Sequence, residues 1–409
     1  MGAKHCGLLG GKLGHSYSPR IHAMLADYDY QLFEKTPEEL EGFLKNGDWD
    51  GLNVTIPYKK SVIPYCDVLS PRAERIGAVN TLVRRPDGTL YGDNTDAYGF
   101  EKLLGKAGID PAGKKCLVLG SGGASVMAVA VLEELGAASV TVISREGKDN
   151  YQNLDRHQDA QLIVNTTPVG MYPHTGVSPV ELSDFPKLEA VADVVYNPSR
   201  TALLLQAEER GLPCAGGLHM LVAQAKRACE LFTVREIPDS EIDRVEAALR
   251  RDRLNIVLIG MPGCGKSTVA RALSEKLNRP CAEADREIEQ AAGCTIPEIF
   301  EREGEEGFRG RETAVLAELG KASGLILSTG GGCVTRAENY PLLHQNGVIF
   351  WLKRELDRLP KEGRPLSLKN DLKDMYEKRR PLYERFADYE IDNNGSVEET
   401  VNAILEVLG

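Results

Sequence analysis

The chain lacks the features that mark membrane-spanning and secreted proteins. None of its apolar runs approaches the roughly 20 residues that cross a bilayer, and no basic and then apolar leader opens it. Its nine cysteines are odd in number and irregularly spaced, which is typical of reduced thiols and not of a disulfide framework. These absences predict a cytoplasmic location.

An excess of positive charge is missing as well. The formal net charge is −11 at pH 7, which argues against nucleic acid or an anionic membrane surface as the main partner. Internal repeats and low-complexity segments are also absent. We therefore expect small molecules as partners, no nucleic acid and no membrane, and a chain that is a monomer or a homodimer.

What is present is the alternating pattern of an α/β protein. A length of 409 residues suggests about two to three domains, and 42% apolar residues suffice for their cores. Strand-like apolar runs alternate with helical patterns, which favours mostly parallel sheets. The predicted strands cover residues 5–9, 52–56, 116–119, 140–143, 162–165 and 191–196, and then 255–259, 325–328 and 348–352. A charged helical stretch over 238–253 places the main domain boundary near Arg251.

The most specific motif is the run Gly-x-x-x-x-Gly-Lys-Ser at 260–267, between a predicted strand and a predicted helix over 267–277. In this setting consecutive backbone N–H groups wrap a phosphate at the helix N-terminus. Lys266 would add a cation near the β- and γ-phosphates, and the Ser267 hydroxyl would hold Mg²⁺. The second half of the chain is therefore predicted to bind a nucleoside triphosphate. We interpret the thiol of Cys264, inside this loop, as incidental.

A second glycine-rich loop indicates a dinucleotide site in the first half. The predicted strand 116–119 leads into Gly-Ser-Gly-Gly-Ala-Ser at 120–125, and a helical run and another strand follow, as in a Rossmann unit. Ser125 stands where the fingerprint has Gly or Ala, so a generic tight turn remains an alternative. The next strand ends in Ser144 and Arg145 and not in an acidic residue, which favours NADP(H) over NAD. The other interpretation of Arg145 is a solvated loop charge.

Seven further motifs, in order, make the first half recognisable. They lie at 14–22, 53–59, 77–81, 92–96, 165–171, 193–198 and 217–225. Over about residues 4–235 the chain closely resembles the shikimate dehydrogenase family. The resemblance implies a two-lobed dehydrogenase, with a substrate-binding domain at 1–98 plus 219–250 and a Rossmann-like NADP-binding domain at 99–218.

The same resemblance implies roles for individual residues. Lys59 and Asp96 match the family's catalytic pair, in which the ammonium stabilises the charge that develops on a ketone oxygen and delivers the proton. Ser16 and Ser18 would bind the carboxylate of the substrate. The other implied substrate contacts are Thr55, Asn80, Tyr196 and Gln224, besides Lys59 and Asp96 themselves. The implied NADP contacts are Gly120, Ser121, Gly122, Gly123, Ala124, Ser144, Arg145 and Gly217.

The second half resembles shikimate kinase over about residues 254–409. Besides the phosphate loop, Glu312 and the motifs at 284–289, 296–300, 304–309, 328–332, 364–366 and 379–383 carry this resemblance. It implies a P-loop, NMP-kinase-like parallel-sheet domain at 252–409. Asp285 would contact the substrate hydroxyls and accept a proton, and Arg309 and Arg379 would grip the substrate carboxylate. The glycines that would bring backbone N–H groups close to the substrate are Gly330, Gly331 and Gly332.

The kinase resemblance also implies how ATP and Mg²⁺ are held. Lys266 and Arg364 would neutralise charge during phosphoryl transfer, and Glu283 would hold Mg²⁺ through water, beside Ser267. Glu283 replaces the family's usual Asp, and the lid before Arg364 is short. We expect Glu305 and Glu312 to be helix-surface charges with no chemical step. The implied ATP contacts are Gly263, Cys264, Gly265, Lys266, Ser267, Thr268, Arg358 and Arg364.

Together the two resemblances predict a bifunctional enzyme of chorismate biosynthesis. The first half would reduce 3-dehydroshikimate to shikimate with NADPH, and the second would phosphorylate shikimate with MgATP. One alternative gives the first half a broader quinate and shikimate activity with NAD accepted as well, which Thr55, Asn80 and Arg145 disfavour. Another makes one half a degenerate module that regulates the other, which the retained catalytic residues of both halves disfavour.

Overall fold

A computed structural model describes residues 4–14, 16–359 and 372–409. The chain divides into two compact units. The first contains the residues up to Met171 together with Val177–Tyr196 and Leu203–Ala248. The second contains Tyr172–Gly176, Asn197–Ala202 and Leu249–Gly409. Within the described residues, no helix is both long enough and apolar enough to cross a bilayer.

The first unit opens with a mixed, six-stranded sheet. Its strands are β1 (His5–Gly10), β2 (Asp29–Glu34), β3 (Gly51–Val54), β4 (Val68–Leu69), β5 (Thr81–Arg84) and β6 (Leu90–Asp93), in the order β2-β1-β3-β5-β6-β4. The helices among them are α1 (Ser18–Leu25), α2 (Pro37–Asn46) and α3 (Pro71–Ile76). Strand β5 is antiparallel to β3 and β6, and the other pairings are parallel.

A second, wholly parallel sheet follows in the same unit. The elements are α4 (Thr95–Lys106), β7 (Lys115–Leu119), α5 (Gly123–Glu134), β8 (Ser139–Ile143), β9 (Leu162–Asn165), β10 (Ala190–Asp193), α6 (Ala202–Glu209) and β11 (Cys214–Gly216). In the strand order β11-β10-β9-β7-β8, β7 pairs with β8 on one side and with β9 on the other, so the direction in which successive strands are added reverses at β7. This reversal of strand order is a topological switch point, where open parallel sheets bind their ligands.

Two long helices close the first unit. Helix α7 (Leu218–Thr233) packs along α4, and α8 (Ser240–Arg253) follows it. The α4–α7 approach needs a glycine, because a Cβ on Gly99 would lie 2.6 Å from the carbonyl oxygen of Met220. The predicted boundary near Arg251 falls inside α8, and the two compact units divide between Ala248 and Leu249.

The second unit has a wholly parallel, five-stranded sheet of order β13-β14-β12-β15-β16. Its strands are β12 (Asn255–Ile259), β13 (Cys281–Glu283), β14 (Ile326–Ser328), β15 (Gly347–Lys353) and β16 (Tyr389–Asp392). Its helices are α9 (Lys266–Leu277), α10 (Ala284–Ala292), α11 (Ile296–Leu319), α12 (Asn339–His344), α13 (Leu372–Phe386) and α14 (Val397–Leu408). The central strand β12 is buried along its whole length, so the phosphate loop that follows it starts from the core.

The predicted α/β class with mostly parallel sheets is confirmed. Each of the nine predicted strands corresponds to a strand of the structure with ends shifted by up to three residues. Both glycine-rich loops lie between a strand and a helix, as predicted. The strands that the sequence pattern did not indicate are β2, β4, β5, β6, β11, β13 and β16.

Candidate active sites

The Lys59 and Asp96 side chains meet in the first unit. Lys59 lies beyond the end of β3, and Asp96 lies in the first turn of α4. The Lys59 ammonium donates to Asp96 Oδ2 at 2.6 Å. The side chains are 32% and 19% exposed, so a small molecule can reach both. The side chain of Asn94 caps α4 by accepting from the Ala97 N–H, and Asp96 therefore faces Lys59 without serving as the cap.

The two side-chain amides that are predicted to bind ring hydroxyls are connected to the Lys59–Asp96 pair through Thr95. Asn80 and Gln224 are 3% and 8% exposed, and both are hydrogen-bonded to Thr95, the residue that precedes Asp96. Sequence reasoning gave Thr95 no role, although its place beside Asp96 in the motif at 92–96 was a signal. Thr55 follows β3, where its N–H donates to the carbonyl of Leu9.

The predicted carboxylate-binding serines, Ser16 and Ser18, are hydrogen-bonded to each other. The backbone N–H of Ser18, which begins α1, donates to the Ser16 hydroxyl at 3.2 Å. The ring of Tyr17, between them, meets the ring of Tyr196 edge to face at 5.9 Å. Tyr17 thereby links Tyr196 to the segment that carries the two serines.

The first glycine-rich loop lies at the switch point of the parallel sheet. It leaves β7 at Gly120, whose φ of +108° favours glycine, and α5 begins at Gly123. Gly122 caps α5 without a side chain, so the N–H groups of the first turn are available to a phosphate. Gly217 is packed so closely that an added Cβ would lie 2.1 Å from the carbonyl oxygen of Val194.

The end of β8 carries the residues predicted to select the dinucleotide. Ser144 follows the strand and donates its hydroxyl to the carbonyl of Glu146. Arg145 is exposed, so its guanidinium can reach a ligand beside the sheet. The chain therefore presents a cation where an NAD site presents a carboxylate.

The phosphate loop of the second unit has the expected geometry. Gly265 has φ +99° and precedes α9, which begins at Lys266. The Lys266 ammonium donates to the carbonyls of Gly260 and Met261 at 2.9 and 3.1 Å, so it folds over the loop. Cys264 has no exposed surface and belongs to the core, which agrees with an incidental thiol.

This loop forms one wall of a cavity of about 510 Å³. Three of the residues predicted to bind the kinase substrate, Asp285, Arg309 and Arg379, line the same cavity. The predicted residues that line the cavity are Gly263, Gly265, Lys266, Ser267, Thr268, Asp285, Arg309, Gly330, Gly331, Gly332 and Arg379. The structure therefore brings the predicted triphosphate loop and the predicted carboxylate-binding arginines into one pocket.

The prediction that Glu312 is a helix-surface charge is wrong. Its side chain has no exposed surface, and Glu312 Oε2 accepts from Arg309 Nη1 at 2.7 Å. Burial raises the pKa of Glu312. Glu312 Oε1 has no hydrogen-bond partner among the described residues and faces Gly330. Glu305 is 55% exposed, so the surface prediction is correct for it.

Close packing fixes the arginines of this pocket. A Cβ on Gly332 would lie 2.1 Å from Arg309 Nη2, so only glycine allows the guanidinium to lie there. Arg379, on α13, donates to the carbonyl of Gly331 at 3.1 Å, and the Tyr383 hydroxyl donates to the same carbonyl. Sequence reasoning gave Tyr383 no role, although the motif at 379–383 contains it.

Oxygen atoms suited to Mg²⁺ collect at the carboxyl ends of β13 and β14. Glu283 and Ser328 are paired in the register of these strands, and Ser328 Oγ is 3.3 Å from Ser267 Oγ. A donor set of carboxylate and hydroxyl oxygens matches the preference of Mg²⁺. Arg271 Nε lies 3.7 Å from Glu283 Oε1.

The predicted adenine-stacking residue, Arg358, is not among the residues that line this cavity. Arg358 is half exposed, and its guanidinium donates to the carbonyl of Asn394 at 2.7 Å and pairs with Glu355. Arg364 lies outside the described residues. The roles of both arginines stay predictions.

One other cluster of the described residues has metal-ligating side chains. His219, Asp243 and Glu246 place one ligand atom each within 4.8 Å of the others. His219 Nδ1 is 2.6 Å from Glu246 Oε2, and Lys106 binds Asp243 at 2.8 Å. These contacts explain the cluster without a metal, because they join α8 to α7 through His219 and to α4 through Lys106.

The two sites define a chain with two enzymes, a dinucleotide-dependent oxidoreductase followed by a P-loop phosphotransferase. The family model for the shikimate dehydrogenase substrate binding domain matches residues 8–82, and the model for shikimate kinase matches residues 262–409. The chain belongs to the shikimate dehydrogenase family and continues into a shikimate kinase domain. It is a bifunctional enzyme of the shikimate pathway.

The first part of the chain is similar in sequence and in fold to known shikimate dehydrogenases. The chain is 37% identical over 265 residues to a shikimate dehydrogenase (NADP(+)) of Clostridium perfringens, a match that covers 60% of this chain and 97% of the relative. A chorismate mutase/shikimate 5-dehydrogenase fusion protein from Clostridium acetobutylicum is 35% identical with a TM-score of 0.58, over 61% and 98% of the two chains. The shikimate 5-dehydrogenase of Thermus thermophilus, solved with NADP(H) and shikimate, is 33% identical with a TM-score of 0.55, over 60% and 99%.

Proposed function

We propose that this chain reduces 3-dehydroshikimate to shikimate with NADPH and then phosphorylates shikimate with MgATP. The observation that carries the proposal is that one chain holds both the Lys59–Asp96 pair and a cavity lined by the phosphate loop together with Arg309 and Arg379. The first glycine-rich loop and the exposed Arg145 support NADP(H) as the dinucleotide. The Clostridium relative, whose name specifies NADP(+), supports the same choice.

The three sheets support a division into three domains. Residues 1–98 plus 219–250 would bind the ring substrate, 99–218 would bind NADP(H), and 252–409 would be the kinase. Strands β1 to β6, β7 to β11 and β12 to β16 fall within these ranges in turn. We place the enzyme in the cytoplasm, as a monomer or a homodimer.

In the dehydrogenase, the Lys59–Asp96 pair carries the proton chemistry. When bound, NADPH supplies the hydride. The Lys59 ammonium, oriented by its 2.6 Å bond to Asp96, stabilises negative charge on the ketone oxygen and gives that oxygen its proton. Asp96 also accepts from a ring hydroxyl. Ser16 and Ser18 bind the carboxylate of the ring, and Tyr196 lies near the substrate.

In the kinase, positioning and charge neutralisation carry the reaction. Arg309 and Arg379 hold the carboxylate, while Asp285 orients the attacking hydroxyl and accepts its proton. Lys266 leaves the Gly260 and Met261 carbonyls for the β- and γ-phosphates. Ser267, and Glu283 through water, would hold Mg²⁺, which neutralises phosphate charge when bound.

The dinucleotide preference gives a first testable prediction. Arg145→Ala removes the guanidinium that would pair with a 2′-phosphate, so kcat/KM for NADPH is expected to fall about 10- to 100-fold. The value for NADH should stay within about twofold, because NADH has no such phosphate. Initial rates with both dinucleotides measure the effect, and Arg75→Ala, a surface change in the same unit, is the control. Equal losses for NADPH and NADH would contradict the prediction.

The broader quinate activity is tested by the wild-type chain. We expect kcat/KM to be higher for shikimate than for quinate and higher for NADP than for NAD, since Thr55, Asn80 and Arg145 suit the former in each pair. Four initial-rate series, one for each acid with each dinucleotide, decide it. Comparable values for quinate with NAD would favour the alternative.

Glu312 gives a second prediction, in the kinase. Glu312→Gln keeps the shape of the side chain but replaces the charged bond to Arg309 with a neutral one, so KM for shikimate is expected to rise about 10-fold. KM for ATP should not change, because Arg309 grips the acid and not the nucleotide. The matched control is Glu305→Gln, which removes the charge of the exposed partner of the same arginine. Equal effects of the two variants would contradict a special role for Glu312.

A further inference from the structure

A continuous series of hydrogen bonds leads to Asn80, one of the predicted hydroxyl-binding amides of the dehydrogenase. The Tyr30 hydroxyl donates to Asn53 Oδ1 at 2.8 Å, and Asn53 Nδ2 donates to Thr81 Oγ1 at 3.3 Å. The Thr81 hydroxyl in turn donates to Asn80 Oδ1 at 3.1 Å. Asn53, Asn80 and Thr81 are at most 5% exposed, so these bonds are shielded from water.

A backbone group fixes which way the Asn80 amide points. The N–H of Thr95 lies 2.6 Å from Asn80 Oδ1. A backbone N–H can only donate, so the amide atom that faces it must be the oxygen. Asn80 Nδ2 then donates one proton to Thr95 Oγ1 at 3.1 Å. Of the amide's polar groups, one N–H remains for a ligand.

Thr95 also connects this hydrogen-bond network to the side chain of Gln224. Its hydroxyl accepts from Asn80 Nδ2 and has one proton to donate, and the acceptors within reach are Gln224 Oε1 at 3.5 Å, Thr81 Oγ1 at 3.0 Å and Asn80 Oδ1 at 3.2 Å. Gln224 Nε2 donates one proton to the Leu221 carbonyl at 2.9 Å, which leaves its second N–H. Thr95 is 1% exposed and is the residue that Asn80 and Gln224 share.

We propose that Thr95 is a positioning residue of the dehydrogenase, which holds Asn80 and Gln224 so that both present N–H donors to the ring substrate. The inference rests on the proposed function of this half. A ketone oxygen can only accept, and a ring hydroxyl can accept from an amide while donating to a carboxylate such as Asp96. Fixed donors therefore suit both the oxidised and the reduced ring. An amide turned over would instead place a carbonyl oxygen against the ketone.

The test is Thr95→Val, which removes the hydroxyl but keeps the backbone N–H and the shape of the side chain. KM for shikimate and for 3-dehydroshikimate is expected to rise about 10-fold, the effect of one lost buried hydrogen bond, and Thr95→Ser should restore it. KM for NADPH and the kinase kinetics of the same chain should not change. The matched control is Thr233→Val on α7, whose hydroxyl donates to the Cys229 carbonyl.

A double-mutant cycle separates positioning from a general loss of structure. If Thr95 acts through the amides, Thr95→Val added to Asn80→Ala should raise KM by much less than about 10-fold, because interacting residues are not additive. A full additional rise of about 10-fold, or a wild-type KM for Thr95→Val alone, would overturn the inference. If Thr95→Val no longer binds NADPH, Thr81→Val carries the test, with a KM rise expected and an unchanged KM overturning the inference. A wild-type chain without dehydrogenase activity would instead overturn the proposed function.

Discussion

Lys266→Ala is expected to lower kcat for shikimate phosphorylation by about 10²- to 10³-fold and to leave the reduction of 3-dehydroshikimate unchanged. The lysine is 7% exposed and already folded over the phosphate loop. Its ammonium is the cation that this loop can offer to the β- and γ-phosphates, and the loss of one preorganised charge at a transition state costs about this much. ADP release measures the kinase, and NADPH oxidation at constant protein concentration measures the dehydrogenase.

The matched control for this variant is on the same helix. Lys276→Ala also removes a lysine from α9, but the Lys276 ammonium binds Asn402 at the surface. Both activities should stay at wild-type level in that variant. If Lys266→Ala kept the kinase rate, the phosphate loop would not be the site of transfer. If Lys266→Ala also removed the dehydrogenase activity, the two active sites would be coupled, which is not expected.

Lys59→Ala is expected to show the reciprocal pattern. Without the ammonium, the ketone oxygen has neither its charge stabilisation nor its proton donor, and kcat for reduction should fall by about 10²- to 10⁴-fold. The kinase should keep its rate and its KM for shikimate. NADPH oxidation and ADP release again report on the two halves separately.

Its control is the neighbouring lysine. Lys60 is exposed, and Lys60→Ala removes the same charge one residue away without touching Asp96. A wild-type rate is expected for it. Comparable losses in the two variants would mean that the positive charge of the segment, and not the Lys59–Asp96 pair, supports the reaction. The reciprocal results expected for Lys59→Ala and Lys266→Ala would also exclude the alternative in which one half is a degenerate regulatory module.

The central strands could be predicted from the sequence because burial on both faces gives continuous apolar runs. The run at Asn255–Ile259 is an example, since every one of its residues is buried. The strands that were missed carry no such run. Strand β13 has three half-buried residues, and β16, at the edge of its sheet, has one buried residue in four. Strands β5 and β6 pair in antiparallel fashion next to each other, a feature that the alternating α/β pattern does not indicate.

The residues of the candidate sites also fall into two groups, those that a local motif identifies and those that only the fold brings together. Residues that sit in local motifs, such as Lys59 and Lys266, could be identified because the motif fixes their chemistry. Glu312 carries part of the kinase resemblance, but its burial could not be predicted, since Glu305, Glu306 and Glu312 look alike along a charged helix. Only the packing of α11 against the glycine-rich turn after β14 buries Glu312 and pairs it with Arg309. Thr95 was missed because its hydrogen bonds join residues far apart in the sequence.

The central claim is that one chain recognises the same ring acid twice. The most direct test incubates the purified chain with 3-dehydroshikimate, NADPH and MgATP and follows NADPH absorbance, ADP release and the mass of the products together. We predict shikimate 3-phosphate when both cofactors are present, shikimate alone when ATP is omitted, and no product when NADPH is omitted. NADPH oxidation without any phosphorylated product, or ADP release from added shikimate with no dehydrogenase activity, would contradict the claim.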